Sequence, residues 1–344
     1  MKDFAGKIAF ITGGACGAGL GYAQLFTELG MKVVIADNRP DHMEEAKAYF
    51  QDKDVPVHYI LMDVTDREGF AKAADETEAV FGDVPNLLIL NAGVNVFGPA
   101  EASTYADFDW VMGVCFGGVV NGLVTFVPRM IKAGGDRHIA ATVSWGAFGA
   151  GAVVAPYCAA KAAVLNLMES YWQSLKPYGI GVTAICPANI RTRIYEAAIL
   201  NRPEQFKDSG YHVTEATQKF LSTIHAHGMD PRVLADWLRK GIENDQFLVV
   251  PYDHGPRMAE LAMERFRYYA DPEALPAYLA RQAEPPTEED ILLASEREGY
   301  DMSASLKARR VPPPADAEPP KDPIGFGKAR ADLDWVDPRK RFAE

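Results

Sequence analysis

"KIAFITGGACGAGLGYAQLF", residues 7–26, decides how the rest of the chain is read. Its first six residues are an apolar run of strand length, and a helical pattern follows the glycines. Gly13, Gly17 and Gly19 stand between the two in a GxxxGxG spacing. No window of the chain satisfies the strict GxGxxG pattern, but the physics is the same. Glycines let a backbone turn tightly and approach a pyrophosphate closely, and the charge of that group meets a helix N-terminus.

Further apolar runs repeat the theme. "KVVIAD" (32–37), "VHYILM" (57–62), "NLLILN" (86–91), "HIAATVS" (138–144) and "GIGVTAIC" (179–186) are each bounded by Gly, Asp or Pro, and "FLVVP" (247–251) offers a last strand. Continuous apolar runs suit strands buried on both faces, as in a parallel sheet. The connections are long enough for crossover helices. The chain therefore reads as α/β, a Rossmann-type doubly wound parallel sheet of about seven strands with helices on both faces. It divides into residues 1–251, a dinucleotide-binding and catalytic domain, and 252–344, an extension of short helices and a proline-rich tail. Trp335 and Phe342 are candidate anchors for that tail.

Composition excludes several classes of function. A net charge of −12 gives no basic face for nucleic acid or an anionic membrane. No apolar run reaches the roughly 18 residues that a bilayer requires. "MKDFAGKIAFITGG" carries no cleavage pattern, so a cytoplasmic location is expected. Cys16, Cys115, Cys158 and Cys186 form neither a CxxC pair nor a zinc spacing and read as reduced thiols. His225 and His227 have no third ligand in view, so no metal is expected.

Candidate contacts follow from the strand ends, where an open α/β sheet binds its ligand. Asp37 closes the second strand, 18 residues after Gly19. A carboxylate there accepts hydrogen bonds from ribose hydroxyls and repels a 2′-phosphate, which favours NAD over NADP. Arg39 is the opposing feature; its plain reading is an exposed turn residue. Asp63 reaches the adenine edge or caps the next helix. Asn91 braces the strands or holds the cofactor.

"PYCAAKAAV" (156–164) places Tyr157 and Lys161 four apart, hence on one face of a helix, a weak acid beside a cation. Pro156 suits the first turn of that helix, and Pro177 with Gly179 marks its end.

With these parts in order the chain resembles the short-chain dehydrogenase/reductase family over about residues 4–251. The matching residues are Thr12 to Gly19, Asp37, Asp63, "NAG" at 91–93, Ser144, the Tyr157/Lys161 pair, and Pro187 with Thr192. The resemblance implies a nicotinamide cofactor and a homodimer or homotetramer. It implies cofactor contacts from Gly13, Cys16, Gly17, Ala18 and Gly19, from Asp37, Asp63 and Val64, and from Asn91, Ala92 and Gly93. Tyr157, Lys161, Pro187, Ile190 and Thr192 complete that set. Tyr157 is then the acid–base on a substrate alcohol, Lys161 lowers its pKa together with the oxidised nicotinamide, and Ser144 binds the substrate oxygen. Bringing a phenol from about 10 to about 7 needs roughly 4 kcal/mol. One position departs from the family: "VCFGGV" (114–119) has Cys115 where an asparagine usually holds a proton-relay water. Activity is expected to survive through the main chain, with a slower proton step.

"AGVNVFGP" (92–99), "DFDWVMGV" (107–114), "PANIRT" (187–192) and "HGMDP" (227–231) are similar to one branch, the bacterial Cα-dehydrogenases of lignin β-aryl ether breakdown. That branch implies a benzylic alcohol substrate. Ser144, Trp145, Phe97, Phe148 and Tyr195 are the candidate contacts to this aromatic alcohol, under a lid at about 192–228. Two alternatives remain: a dehydrogenase for a steroid or polyol alcohol, and a non-catalytic nucleotide-binding sensor or assembly subunit suggested by Cys115 and the tail.

Overall fold

Every apolar run expected as a strand forms one. In the computed structural model, which describes residues 1–211 and 213–310, β1 (Ile8–Thr12), β2 (Lys32–Asp37), β3 (Val57–Leu61), β4 (Leu87–Leu90), β5 (Arg137–Thr142), β6 (Ile180–Ile185) and β7 (Leu248–Val249) make one sheet. Their order is β3-β2-β1-β4-β5-β6-β7, and every pair is parallel. The order reverses direction between β1 and β4, so the crossovers on either side diverge there and leave a crevice at the carboxyl ends.

Alternation along the strands fills two cores. Phe10, Val34, Leu88, Ile139 and Val182 point to one face, while Ala9, Ile11, Val33, Ile35 and Ile89 point to the other. Each such aliphatic or aromatic side chain contributes about 1.5–3 kcal/mol by leaving water. The first face is covered by α3 (Arg67–Phe81), α5 (Gly118–Ala133) and α6 (Ala155–Leu175). The second is covered by α1 (Gly17–Glu28), α2 (Pro40–Phe50) and α9 (Pro231–Glu243). Pro156 sits in the first turn of α6, which ends in a single 3-10 turn and left-handed Gly179 at φ 68°.

α4 (Tyr105–Met112) runs into α5 through a π-helical turn, Gly113–Gly117, with Cys115 at its centre. The continuous helix Tyr105–Ala133 spans 29 residues and is long and apolar enough to cross a membrane by length and composition. This corrects the expectation that no stretch reaches that length. Half of its most apolar window is buried, and it carries Val119, Leu123 and Phe126 of the first core.

The segment from residue 190 to 229 leaves and re-enters the sheet edge through a parallel bridge between Ile190 and Met229. It holds α7 (Ala197–Leu200) and α8 (Glu215–Ala226) and spans the stretch for which a lid is expected. The extension folds into α10 (Gly255–Tyr269), α11 (Leu275–Ala283), α12 (Glu288–Glu298) and α13 (Ser303–Arg310). Met258 and Leu293 join the first core, so residues 252–310 are fastened to the sheet domain. Trp335, Phe342 and the proline-rich segment from residue 311 lie outside the described residues.

The glycine turn is packed as tightly as its sequence implied. Gly13 and Gly17 have φ of 60° and 53°, and a Cβ on Gly19 would lie 2.0 Å from the Gly13 carbonyl oxygen and 2.7 Å from Asn91 Nδ2. Gly19→Ala is expected to cost about 1–3 kcal/mol of stability. An unchanged urea midpoint and slope in that variant would show that the turn tolerates a side chain.

Candidate active site

The crevice at the switch point opens into a cavity of about 720 Å³. Thr12 and Asn91 hold its base. Thr12 Oγ1 accepts from the amides of Asn91 (2.9 Å) and Ala92 (3.1 Å), and Asn91 Nδ2 donates to the carbonyls of Thr12 and Gly13 (both 3.1 Å). Of the two readings of Asn91, the bracing one describes these bonds.

One end of the cavity gathers a helix start, a close-packed glycine turn and a buried carboxylate. The first turn of α1 has no side-chain cap, since Cys16 at that position makes no capping bond, so its N–H groups face the glycine cradle. A Cβ on Gly17 would meet Thr192 Cγ2 at 2.9 Å, so the cradle is closed by the loop after β6. Asp37 is buried beside it, with Oδ2 accepting from the Ala15 amide (3.2 Å) and Oδ1 from the Arg39 amide (3.0 Å). Burial pushes its pKa up, against these backbone donors. Arg39 is not the exposed turn residue of the sequence reading, because its guanidinium bonds to Asp41 and to Asn201 of the lid. Asp63 ties its own turn by accepting from the Thr65 amide (2.8 Å) and hydroxyl (2.9 Å), while α3 is preceded by Asp66. The residues present fit a dinucleotide: an uncapped helix start, a cradle that a Cβ would fill, and a buried carboxylate.

At the other end Ser144, Tyr157 and Lys161 meet. Trp145 N bonds to Pro187 O (2.6 Å), which fixes the end of β5 beside the end of β6. Ser144 Oγ accepts from the Gly146 amide at 3.1 Å, and its hydroxyl lies near enough to Tyr157 to bear on the phenol. The Lys161 ammonium is buried, 5.6 Å from the Tyr157 ring centroid, and donates to Thr142 O at 2.7 Å.

The electrostatics differ from the sequence expectation of a phenol lowered by the lysine. Burial pushes the Tyr157 phenol above its ordinary value, and the nearby Ser144 hydroxyl opposes that only in part. Burial likewise lowers the Lys161 ammonium. Cys115 lies beneath, fully buried, with Sγ donating to Val94 O (3.2 Å) and accepting from Val94 N (3.4 Å). Burial raises this thiol too. A π turn frees backbone groups from the regular ladder and is common at functional positions. Here it brings Cys115 against the Gly93 strand end.

Of the sequence candidates, Gly13, Cys16, Gly17, Ala18, Asp37, Asp63, Val64, Asn91, Ala92, Gly93, Pro187, Ile190 and Thr192 line the cavity, as do Ser144, Trp145, Phe97, Tyr157 and Lys161. Gly19 acts in packing beneath the turn. Phe148 and Tyr195, the other two aromatic candidates, are not among the residues that line the cavity. Phe148 is buried in the first core and packs edge-on against Trp145 (5.5 Å between centroids), and Tyr195 stacks on His225 at 5.6 Å. Both back the wall rather than form it.

The sequence reading missed the wall supplied by the lid and the extension: Phe206, Phe220 and Ile224 from the former, Arg297, Glu298, Tyr300 and Met302 from the latter. Nothing in "ILLASEREGYDM" distinguishes these from an ordinary surface helix, since only the chain's return brings them to the site. Also unforeseen is the latch that ties residues 202–210 to α4. Asp107 forms the capping box of α4 with Thr104, accepts from Arg202 Nη2 (2.7 Å), from Ser209 Oγ (2.7 Å) and from Gly210 N (3.2 Å), and is fully buried.

Comparison with known proteins agrees with this geometry. The sequence model of the short chain dehydrogenase family matches residues 7–202. A C alpha-dehydrogenase of Sphingobium sp. (strain NBRC 103272 / SYK-6) is 48% identical over 271 residues, 79% of this chain and 88% of that protein. The crystal structure of the apo form of LigD from Sphingobium sp. strain SYK-6 superposes with a TM-score of 0.64 at 42% identity, covering 77% of this chain and 97% of that one. A short chain dehydrogenase/reductase from Burkholderia phymatum, in complex with NAD, superposes with a TM-score of 0.73 at 28% identity, covering 79% and 98%.

The Asp107 latch has a pH signature. Burial would raise its pKa, but the hydrogen bonds from Ser209, Thr104 and Arg202 prevail and hold it below the ordinary carboxylate value. A depressed folded pKa stabilises above the unfolded value of about 3.9 and loses that contribution as pH falls through the folded one. Hydrogen-exchange protection of residues 201–211 is thus expected to depend on the latch above about pH 4, and Asp107→Asn to destabilise by about 3 kcal/mol or more. Protection and stability equal to wild type in that variant would remove the latch.

Proposed function

The chain belongs to the short-chain dehydrogenase family, and from that premise we propose that it oxidises the benzylic Cα alcohol of a lignin-derived β-aryl ether to a ketone with NAD. The observation that carries this reading is the joining, in one cavity, of a dinucleotide-shaped end and the Ser144–Tyr157–Lys161 cluster. The aromatic wall of Trp145, Phe97 and Phe206 supports an aryl substrate, as does the 48% identity to a protein named C alpha-dehydrogenase.

In this reading Ser144 and Tyr157 together bind the substrate hydroxyl. Tyr157 removes its proton as the Cα–H bond breaks, leaving a C=O double bond. A bound nicotinamide would supply the hydride acceptor for Cα and, while oxidised, a positive charge in the site. That charge bears on the electrostatics found here, because burial alone keeps Tyr157 protonated. Lys161, anchored by the Thr142 carbonyl, orients the cluster and passes the proton outward. NAD is preferred to NADP because a buried carboxylate at Asp37 opposes a 2′-phosphate, and because Arg39 is already engaged by Asp41 and Asn201.

Purified protein with a guaiacylglycerol β-aryl ether is expected to reduce NAD⁺ at a kcat/KM at least about tenfold above that with NADP⁺. Tyr157→Phe should lower kcat by roughly 10²-fold or more. Asp37→Ala should narrow the gap between the cofactors. Turnover of aliphatic secondary alcohols without turnover of the ether would overturn the substrate assignment, and full activity in Tyr157→Phe would overturn the mechanism.

A further inference from the structure

We propose that Arg297, carried by the C-terminal extension, is a specificity-determining residue that donates hydrogen bonds to an oxygen substituent on the aromatic part of the substrate. This rests on the benzylic alcohol reading and deepens it. Three arginines line the cavity. Arg39 spends its guanidinium on Asp41 and Asn201, and Arg193 gives both terminal nitrogens to Glu45 (2.8 and 3.3 Å). Both act electrostatically on Cys16, so they belong to the cofactor end. Arg297 differs. Its Nε bonds Glu298 Oε1 at 3.0 Å, and neither terminal nitrogen has a hydrogen-bond partner among the described residues.

Position and rigidity add to this. The guanidinium lies 5.8 Å from the ring centroid of Trp145, the residue that follows Ser144. The end of α12 is held from several sides. Glu298 also accepts from Asn189 of the cavity wall, and the Tyr300 ring meets His227 at 5.4 Å between centroids. Gly299, at φ 80°, approaches the His227 carbonyl so closely that a Cβ would lie 2.2 Å from that oxygen. A fork held this way loses little freedom on binding.

The chemistry selects the ligand group. Glu298 balances the charge of Arg297, so the pair does not call for a full anion. A half-buried guanidinium edge with unused N–H groups matches phenol or methoxy oxygens, which accept but need not be charged. Such oxygens occur on either ring of a β-aryl ether.

The test compares β-aryl ethers that carry these oxygens on both rings, on one ring at a time, or on neither. One such hydrogen bond is worth about tenfold in kcat/KM, expressed mainly in KM because it is made equally before and during reaction. Wild type is expected to prefer one oxygenated ring by about that factor, and the single-ring arms identify it. Arg297→Met should bring the ratio close to one, and Arg297→Lys should restore part of it. Thermal melting of both variants checks the fold, and the lysine variant alone still reads the ratio if the methionine variant does not fold. An unchanged ratio in both variants, or no preference in a wild type that oxidises all four alcohols, overturns the proposal alone. Failure of wild type to oxidise any of them overturns the benzylic alcohol reading and this proposal with it.

Discussion

The side-chain amide of Asn91 bridges the carbonyls of Thr12 and Gly13 where the sheet reverses its order, and the site depends on that bridge. Without it β1 and β4 would still pair, but the glycine turn would lose its fixed distance from the β4 end. A Cβ at Gly13 would fall 2.8 Å from Ala92 Cα, so the two backbones are already as close as they can be. The close approach sets the width of the crevice. It also aligns the uncapped start of α1 with the loop after β6, where Thr192 closes the cradle.

The second constraint is burial. Tyr157 and Lys161 in the cavity, and Cys115 beneath them, lie deep enough that burial raises the phenol and the thiol and lowers the ammonium. All three shifts favour neutral groups, which is what a low-dielectric site does before a charge is supplied from outside. The same low dielectric strengthens any charge that does enter. Such a site therefore keeps the phenol protonated when empty of cations and makes the phenolate available when one is introduced. Cys115 fits the pattern: it bonds both polar groups of Val94, and the nearby Lys161 ammonium opposes the rise that burial causes only in part.

Much of the fold was legible because buried parallel strands have to be written as apolar runs, and because the glycine turn has to follow the first of them. Asp37 was legible for a local reason, its place at the end of β2. Phe148 and Tyr195 show the limit. Their positions beside the strand ends were read correctly, but which way a ring turns is decided by partners such as Trp145 and His225, distant in sequence for the latter. The Asp107–Arg202 latch joins residues 95 positions apart, and Asn189 meets Glu298 across 109. No local pattern records such pairings. The extension was therefore read as an appendage when its turn after α12 is a wall of the cavity.

The central claim is that burial keeps Tyr157 protonated until the cofactor's positive charge arrives. Titrating the Tyr157 phenol by ultraviolet difference spectroscopy against Tyr157→Phe, with and without saturating NAD⁺, tests it most directly. The free protein should titrate above the ordinary tyrosine value of about 10, and bound NAD⁺ should lower that by roughly two units or more. Equal values in the two states, or a value already near 7 in the free protein, would contradict the account.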